Sequence, residues 1–198
     1  MKRWIGRALL LVALLAIASP ASAFNGSRKG FLLGAGIGAA FSSFNQELTL
    51  NGIQYPKSDD ESKTGAATDF RIGGGVSDQL TLYYVNDVNW FSLNNALGND
   101  VTIASGLGLL GGSWYMKPEG PCFYFNGLIG IASWATPFES GSKSGNGFGL
   151  GLGAGYEFSK HWSVEGNLGF GSPKIEDGAD ELTTNVRSFT IRIHGTAY

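Results

Sequence analysis

The stretch from Gly145 to Gly171 constrains the fold of this chain more than any other part of the sequence. Between Gly145 and Gly155 every second residue is glycine, and four of the five residues between the glycines are apolar. Because side chains alternate between the two faces of a β-strand, such a strand has one apolar face and one face almost without side chains. The pattern resumes after a two-residue turn, with Trp162, Val164, Leu168 and Phe170 on one face and His161, Ser163, Glu165 and Asn167 on the other.

An apolar outer face combined with a polar, glycine-rich inner face is typical of a transmembrane β-barrel. The alternative is a water-soluble antiparallel sheet, in which the apolar face would point inward and the glycines would lie on the surface. The rest of the chain has to distinguish the two.

The first residues have the pattern of a secretory signal peptide. The start is positively charged, residues 8–18 are apolar, and small residues at 20–23 supply a cleavage site. The apolar run is too short to cross a bilayer as a helix. We therefore expect residues 1–23 to be cleaved and residues 24–198 to form a single outer-membrane β-barrel domain.

Charge and cysteine content exclude some classes of protein. Without the three basic residues of the signal peptide, 11 of the chain's 14 Lys and Arg remain against 16 acidic residues, a net charge of about −5. This balance argues against a nucleic-acid partner. Cys122 is the only cysteine, so an internal disulfide is not possible. No motif in the sequence predicts a cofactor or a metal site.

Eight segments show strand alternation, at approximately 30–41, 67–76, 79–90, 101–116, 122–133, 145–158, 161–171 and 187–198. Short turns at 77–78, 117–121 and 159–160 alternate with longer polar connections at 44–66, 92–100, 134–144 and 172–186. Outer-membrane barrels have short turns at one end and long loops at the other. The sequence therefore predicts an all-β protein, an eight-stranded antiparallel up-and-down transmembrane β-barrel with both termini at the short-turn end.

Side-chain direction is open at one position of these strands and is expected from the alternation at the others. In the third segment Asn86 interrupts an apolar outward face, which indicates either a bulge or a polar residue exposed on that face. In the fourth segment an apolar set shares one phase, and we expect it to point outward. That set consists of Val101, Ile103, Leu107, Leu109 and Tyr115.

Residues 153–165, GAGYEFSKHWSVE, resemble the glycine–aromatic strand, tight turn and aromatic restart of the small eight-stranded outer-membrane barrels of the OmpA/OmpX type. This resemblance implies a bacterial outer-membrane location. The end of the chain departs from the family pattern, in which an outward aromatic residue comes last. Here strict alternation places Tyr198 in phase with the inward Arg192 and His194, so that either the last turn bends or the assembly signal is unusual, and the placement of Tyr198 stays open. No peptidoglycan-binding domain follows the barrel, so that role of larger family members is not expected.

The inward face carries a set of ionisable residues, consisting of Asp69, Arg71, Asp87, Glu157, Glu165, Arg192 and His194. A narrow interior requires partners for these charges, which favours a structural network of ion pairs over a path for protons or ions. We expect Arg192 to pair with Glu165 on the adjacent strand, and Arg71 to pair with Asp69 and Asp87. The inward glycines leave open a small cavity for water or a ligand.

The sequence contains only weak matches to cofactor-binding or catalytic motifs. Two G-x-G-x-x-[G/A] matches, at 34–39 and 106–111, lie inside strands and lack the following helix that a dinucleotide site needs. The only two histidines, His161 and His194, both fall near the short-turn end. A catalytic serine–histidine–acid set at the opposite rim is therefore not expected.

Acidic clusters occur on the long connections, at Asp59-Asp60-Glu61, Glu176-Asp177 and Asp180-Glu181. They are interpreted either as solvated loop residues or as carboxylates that recruit divalent cations bridging lipopolysaccharide phosphates.

These observations predict a non-enzymatic outer-membrane protein with a structural or surface-interaction role through four external loops. The alternatives are a narrow pore or carrier for a small or apolar solute and, less favoured, a lipid A-modifying enzyme. The expected partners are outer-membrane lipid, lipopolysaccharide and a surface ligand, and the chain is expected to be a monomer.

Overall fold

The computed structural model of the protein describes residues 27–94, 98–139 and 144–198. The expected signal peptide at residues 1–23 lies outside the described residues. Within them the chain forms the strands β1 (Gly30–Leu50), β2 (Ile53–Gln54), β3 (Glu61–Gly75), β4 (Leu80–Asn94), β5 (Asp100–Tyr115), β6 (Cys122–Ala135), β7 (Ser144–Ser159), β8 (Trp162–Asp177) and β9 (Asp180–Ala197). None of the described residues belongs to a helix that is long and apolar enough to cross a membrane.

Eight long strands form a closed antiparallel ring. Consecutive long strands pair from β1 through β3 to β9, and β9 pairs back with β1 from Leu33↔Ala197 to Thr49↔Glu181. The two-residue strand β2 pairs only with the far end of β1. The predicted eight-stranded antiparallel up-and-down barrel is confirmed.

The stagger of the ring defines how narrow its interior is. Following paired residues once around the ring from Gly34 leads back to β1 at Phe44, ten residues further along the strand. The path is Gly34, Arg71, Val85, Leu109, Gly130, Gly149, Gly171, Val186 and Phe44. A stagger of ten over eight strands corresponds to a strand tilt of about 40°, and a ring of this size is just wide enough inside for side chains.

The alternation of the sequence is that of the barrel wall, with large apolar side chains outside and glycine or polar side chains inside. Ile37 is 68 % exposed on the outer face, whereas Arg71 is 5 % exposed in the lumen. Asn86 also points outward, and the pairing of β4 with both neighbours continues through it without a register shift. The question left by the sequence is therefore answered by a polar residue on the outer face, not by a bulge.

The direction predicted for β5 is wrong. Ile103, Leu109 and Tyr115 are buried inside the barrel, and the outward side chains of this strand include Leu110 and Trp114. Both faces of β5 carry apolar residues, because the lumen contains apolar layers as well as polar ones. Alternation identifies the two faces of such a strand without indicating which of them points outward.

Two rings of exposed aromatic side chains bound the apolar outer band. The lower aromatic ring, at the short-turn end, contains Phe31, Trp114, Phe123, Phe158 and Trp162, and the upper aromatic ring contains Phe41, Phe148, Phe170 and Phe189. On β1 ten residues separate Phe31 from Phe41, which at this tilt corresponds to a height of about 25 Å. This is the height of the apolar band of outer-membrane barrels.

Above the upper aromatic ring the outer face of the strands becomes polar and the inner face becomes apolar. On β9, Phe189 is exposed on the outer face and Arg187 follows it outward, while Val186 is buried inside. The inward residues of other strands at this level are apolar, namely Phe44 on β1, Phe91 on β4, Ile103 on β5 and Trp134 on β6. At this level the outer face of the wall is therefore in contact with water instead of lipid, and the side chains that fill the lumen are apolar instead of polar.

Four strands continue beyond that level and form a strand extension, made of residues 45–50, 174–177 and 180–185 together with the start of β3. The connections predicted at 44–66 and 172–186 are therefore mostly strand, which corrects the prediction of loops. Polar residues such as Glu181 now face outward, and the apolar positions, including Ile175, have moved to the inner face. Because the apolar residues of the extension point inward and those of the strands below point outward, the alternation in the sequence shifts phase here, and the extension is hard to recognise as strand.

Candidate functional site in the barrel lumen

The lower half of the lumen contains most of the ionisable residues that the sequence placed there. Asp69, Arg71, Glu165, Arg192 and His194 are all buried, and Asp87 is largely so. Their strands alternate strictly, so each of these side chains points into the ring. Because the ring is narrow, residues on strands that do not touch each other meet at its centre.

Arg71 is bound by two carboxylates. Its guanidinium donates hydrogen bonds to both oxygens of Glu165, one of them from Nη1 to Oε2 at 2.9 Å, and to Asp69 Oδ2 from Nε at 3.1 Å and Nη2 at 2.9 Å. The guanidinium carbon also lies 5.2 Å from the centre of the Tyr83 ring. The expected pair of Arg71 with Asp69 is present, but the expected pair with Asp87 is replaced by one with Glu165.

Arg192 pairs across the lumen instead of with its neighbour. Its Nη2 donates a hydrogen bond to Asp87 Oδ1 on β4, and its Nη1 lies 3.6 Å from Asp69 Oδ2. Glu165, which sits directly opposite Arg192 in the register of β8 and β9, pairs with Arg71 instead. The predicted Arg192–Glu165 pair is therefore wrong, because long side chains in so narrow a ring reach the far wall as readily as the adjacent strand.

Asp69 lies at the centre of the network. Besides the two arginines, it faces His194, whose Nε2 is 3.4 Å from Asp69 Oδ1. Glu165 also accepts hydrogen bonds from the Tyr124 hydroxyl at 2.8 Å and from the Asn167 amide. Two guanidinium groups thus meet three carboxylates, with the His194 ring beside Asp69.

The inward glycines make room for these side chains. A Cβ at Gly155 would overlap the ring of Tyr124, and one at Gly153 would overlap the amide of Asn167. The space that the sequence suggested for a ligand is, at these positions, occupied by neighbouring side chains. Higher in the lumen, the described side chains leave small gaps, including one beside Arg71 and one beside Asn89, each with room for roughly one water molecule.

Arg28, which sequence reasoning missed, closes the short-turn end. It precedes β1, is 3 % exposed, and forms an ion pair with Glu157 at 2.8 Å. Its guanidinium lies 4.1 Å from the centre of the Tyr115 ring. It also donates hydrogen bonds to the backbone carbonyls of Asp78, Lys117, Pro118 and Gly120 in two different turns. Arg28 and Glu157 thus form a lid over the short-turn end of the lumen. Glu157 is not in contact with the network around Arg71.

Within the lid, the Arg28 cation is stabilised by its acidic partner. Burial alone would lower the pKa of Arg28, but the hydrogen bond and negative charge of Glu157 outweigh it and raise that pKa. The Ser27 hydroxyl donates to Asp78 at 2.6 Å, and this bond lowers the pKa of the Asp78 carboxyl. The sequence contained one indication of this lid. Glu157 was predicted to point inward at the short-turn end, and no basic partner was predicted for it.

Tyr198 completes the lid. It is 6 % exposed, and its hydroxyl lies 2.7 Å from the hydroxyl of Tyr115. The final aromatic residue therefore points into the barrel, in phase with Arg192 and His194, which answers the question that the sequence left open. Cys122 is buried beside the lid, with its Sγ 3.6 Å from Arg28 Nη2.

An aromatic plug fills the opposite end of the lumen. It consists of Phe44, Phe91 and Trp134, with ring centres 5.0 to 5.9 Å apart, packed with Ile103 and Val186. The lumen is thus occupied at three levels: the Arg28 lid, the Arg71 network and the aromatic plug.

The other sequence motifs do not come together as sites. Both G-x-G-x-x-[G/A] matches lie inside β1 and β5. His161 and His194 lie in the lower half, where each ring Nδ1 contacts an oxygen of Thr196. Of the acidic clusters, Glu61 pairs with Lys63 and Glu181 with Lys174. Over residues 27–94, 98–139 and 144–198, no group of His, Cys, Asp and Glu side chains is arranged to hold a metal ion.

Comparisons with known proteins agree with this architecture. Residues 102–197 match the family model described as outer membrane protein beta-barrel domain. The structure of the outer membrane protein OprG from Pseudomonas aeruginosa is similar, with a TM-score of 0.51 and 14 % identity, covering 86 % of this chain and 97 % of OprG. The structure of Neisserial surface protein A is also similar, with a TM-score of 0.51 and 11 % identity, and the match covers 84 % of this chain and 96 % of the Neisserial protein. No curated protein matches the sequence.

Proposed function

Residues 102–197 match a family model of outer-membrane β-barrel domains and the fold is that of small outer-membrane barrels, and we propose that the protein is a closed, non-enzymatic bacterial outer-membrane barrel of the OmpA/OmpX type that acts at the cell surface. The observation that carries the proposal is the occupied lumen. Arg28, Arg71 and Trp134 each stand at the centre of a separate layer of side chains. A solute would have to displace all three layers to pass through.

The inward ionisable residues have a structural role in this proposal. Unpaired buried charges are costly, and Arg71, Asp69 and Glu165 satisfy one another across the ring. The network thereby fastens opposite walls of the barrel together. This supports envelope integrity better than conduction, because a conducting path needs mobile water along these groups.

The strand extension is the surface that remains for interactions. It rises above the upper aromatic ring on one side of the barrel and ends in two hairpins, at Asn51-Gly52 and at residues 177–180, while Asp59 and Asp60 lie nearer its base, beside Asn45. The chain closes on itself in the ring and leaves no unpaired strand edge in the membrane, which supports a monomer. Partners, including lipopolysaccharide and a surface ligand, would meet the outer wall and this extension.

Conductance in planar bilayers tests the closed lumen. We expect no discrete openings from the wild-type barrel. A variant that removes the lid and the plug together, Arg28→Ala with Phe91→Ala and Trp134→Ala, should give more current than the wild type. A matched triple with Trp114→Ala and Phe123→Ala on the outer wall and Lys29→Ala should stay silent. Steady, discrete openings of the wild-type protein would contradict the proposal.

Labelling of intact cells tests the exposure of the extension. In a Cys122→Ser background, Ser58→Cys should react with a membrane-impermeant maleimide on intact cells. Ser77→Cys, in a short turn at the other end, should react only after the cells are permeabilised. The reverse pattern would place the extension in the periplasm and remove the surface role. Sensitivity of cells to detergents, with and without the protein, then measures its contribution to envelope integrity.

The aromatic plug favours a second candidate, the binding of a small apolar solute at the external mouth. Phe44, Phe91 and Trp134 form an apolar layer there, with Leu93 and Ile175 packed against it. Titration with toluene, followed by NMR of the indole NH groups, tests this candidate. A saturable shift of Trp134 without one at the lipid-facing Trp114 would support it, whereas equal shifts would reflect partitioning into the detergent.

Lipid A modification is the least supported function. The two histidines lie in the lower half of the barrel, away from the outer leaflet where lipid A resides. Mass spectrometry of lipid A from cells with and without the protein is expected to give identical spectra. A mass change that depends on the protein would overturn the non-enzymatic proposal.

A further inference from the structure

Arg187 is a cation on the outer wall, at the level where the apolar band ends. It points outward from β9, one outward position above Phe189 of the upper aromatic ring, and it is exposed. Within the described part of the chain, no carboxylate forms an ion pair with it. Two other exposed cations have partners: Lys174 is 2.8 Å from Glu181, and Lys57 is 2.9 Å from Glu47.

The neighbours of Arg187 form two rows on the outer wall. The register places Phe170 of β8 and Ser43 of β1 directly beside Arg187, and Ser62 of β3 beside Ser43. One step lower is a second row made of Leu168, Phe189, Phe41 and Thr64. The rings of Phe41 and Phe189 stack with centres 6.3 Å apart. Together the rows line one groove on the outside of the barrel.

The groove matches an amphiphile with an anionic head. Arginine presents a planar fork of donors that suits phosphate oxygens, and serine and threonine hydroxyls add further donors. Phe41, Leu168 and Phe189 are 41 to 48 % exposed and form an apolar track directly beneath. The head would sit where the wall changes from apolar to polar, with the acyl chains running down the band.

We propose that Arg187, with the hydroxyls of Ser43, Ser62 and Thr64, binds a phosphate of an outer-leaflet glycolipid whose acyl chains lie in the groove. The phosphorylated lipid A of lipopolysaccharide has this chemistry. The inference deepens the proposed contact with lipopolysaccharide and rests on it. The alternative for Arg187 is an arginine that only snorkels to the membrane interface without a bound partner.

Native mass spectrometry of the refolded barrel in nanodiscs tests the site. With bisphosphorylated lipid A as the probe, the wild type is expected to retain bound lipid after release from the nanodisc. Arg187→Gln should weaken retention about tenfold, since a hydrogen bond to a charged group is lost. Arg187→Lys should lie between them, because lysine keeps the charge without the planar fork. Lys174→Gln, a matched outward cation already paired, should behave as the wild type.

Two further measurements identify the ligand. Lipid A without its phosphates should bind the wild type as weakly as bisphosphorylated lipid A binds Arg187→Gln. Millimolar inorganic phosphate should not displace lipid A, because it lacks the acyl chains. Displacement would overturn the assignment to a lipid and indicate a free-phosphate site instead.

Equal retention of lipid A by the wild type and Arg187→Gln would overturn the proposal and leave the arginine as a snorkelling residue only. Heat-modified mobility on gels confirms that each variant is folded before this comparison is made. If lipid A still binds to the barrel but the substitution of Arg187 does not weaken its binding, only the site at Arg187 is ruled out. Absence of lipid A binding altogether would also remove the proposed lipopolysaccharide contact, while the closed-lumen proposal would still stand on its conductance test.

Discussion

Arg71 and Glu165 form a two-pronged ion pair across the lumen, although their strands β3 and β8 are separated in the ring by β1 and β9. Arg192 of β9 makes the equivalent crossing to Asp87 of β4. Asp69 touches both guanidinium groups and couples the two crossings. The lower half of this barrel is therefore braced through its centre as well as around its wall.

This bracing predicts which double variants recover stability. Arg71→Met should lower the free energy of unfolding by a few kcal/mol, because it leaves the buried Glu165 carboxylate without its main partner. Adding Glu165→Gln should recover part of that loss. Arg192→Met with Glu165→Gln should recover little, since these two side chains do not pair. Urea unfolding in lipid vesicles compares the wild type, Arg71→Met, Arg192→Met and the two double variants, and rescue of Arg192→Met by Glu165→Gln instead would contradict the pairing.

Exposure of the outer face predicts the cost of a charge in the lipid. Leu152→Arg should destabilise the barrel by about 2–4 kcal/mol if the residue lies near the midplane. Asn146 points outward from the same strand above the upper ring, and Asn146→Arg should cost far less. The same urea assay compares them. Equal costs at the two positions would show that β7 does not cross a bilayer.

The Arg28 lid predicts the reactivity of the one cysteine. Cys122 is 4 % exposed and contacts Arg28. Arg28→Ala should open the short-turn end and increase the rate at which a maleimide labels Cys122 in the folded barrel by about tenfold or more, if the lost charged hydrogen bonds hold the lid closed. Lys29→Ala, which removes a solvent-exposed pair with Asp78, is the control and should leave the rate nearly unchanged. An unchanged rate in Arg28→Ala would mean that Tyr115 and Tyr198 cover the cysteine by themselves.

Inward and outward glycines should respond differently to a single added methyl group. Gly155→Ala places its Cβ in the ring of Tyr124 and should cost about 1–3 kcal/mol through overpacking. At Gly166, on the outer side of β8, the nearest atom to an added Cβ is 3.7 Å away in Phe189. Gly166→Ala should therefore be neutral or slightly stabilising. Thermal unfolding of the two variants provides the comparison, and similar midpoints would count against the tight packing of the lumen.

Local pattern was sufficient to predict the barrel. The alternation from Gly145 to Gly171, the short turns and the inward charges predict eight antiparallel strands, because the period of a strand and the demands of lipid act on each residue separately. For the same reason Arg71 and Glu165 were correctly placed in the lumen. These are statements about one strand at a time.

Closure of the ring decided what the inward residues touch. Arg71 meets Glu165, Arg192 meets Asp87, and Arg28 reaches Glu157 only because a stagger of ten residues in eight strands brings distant walls within one side-chain length. The direction of β5 depended on the same closure, since both of its faces are apolar and only its neighbours settle which one is enclosed. Periodicity along a strand contains no information about the distance across a barrel, so these contacts depend on the assembled ring.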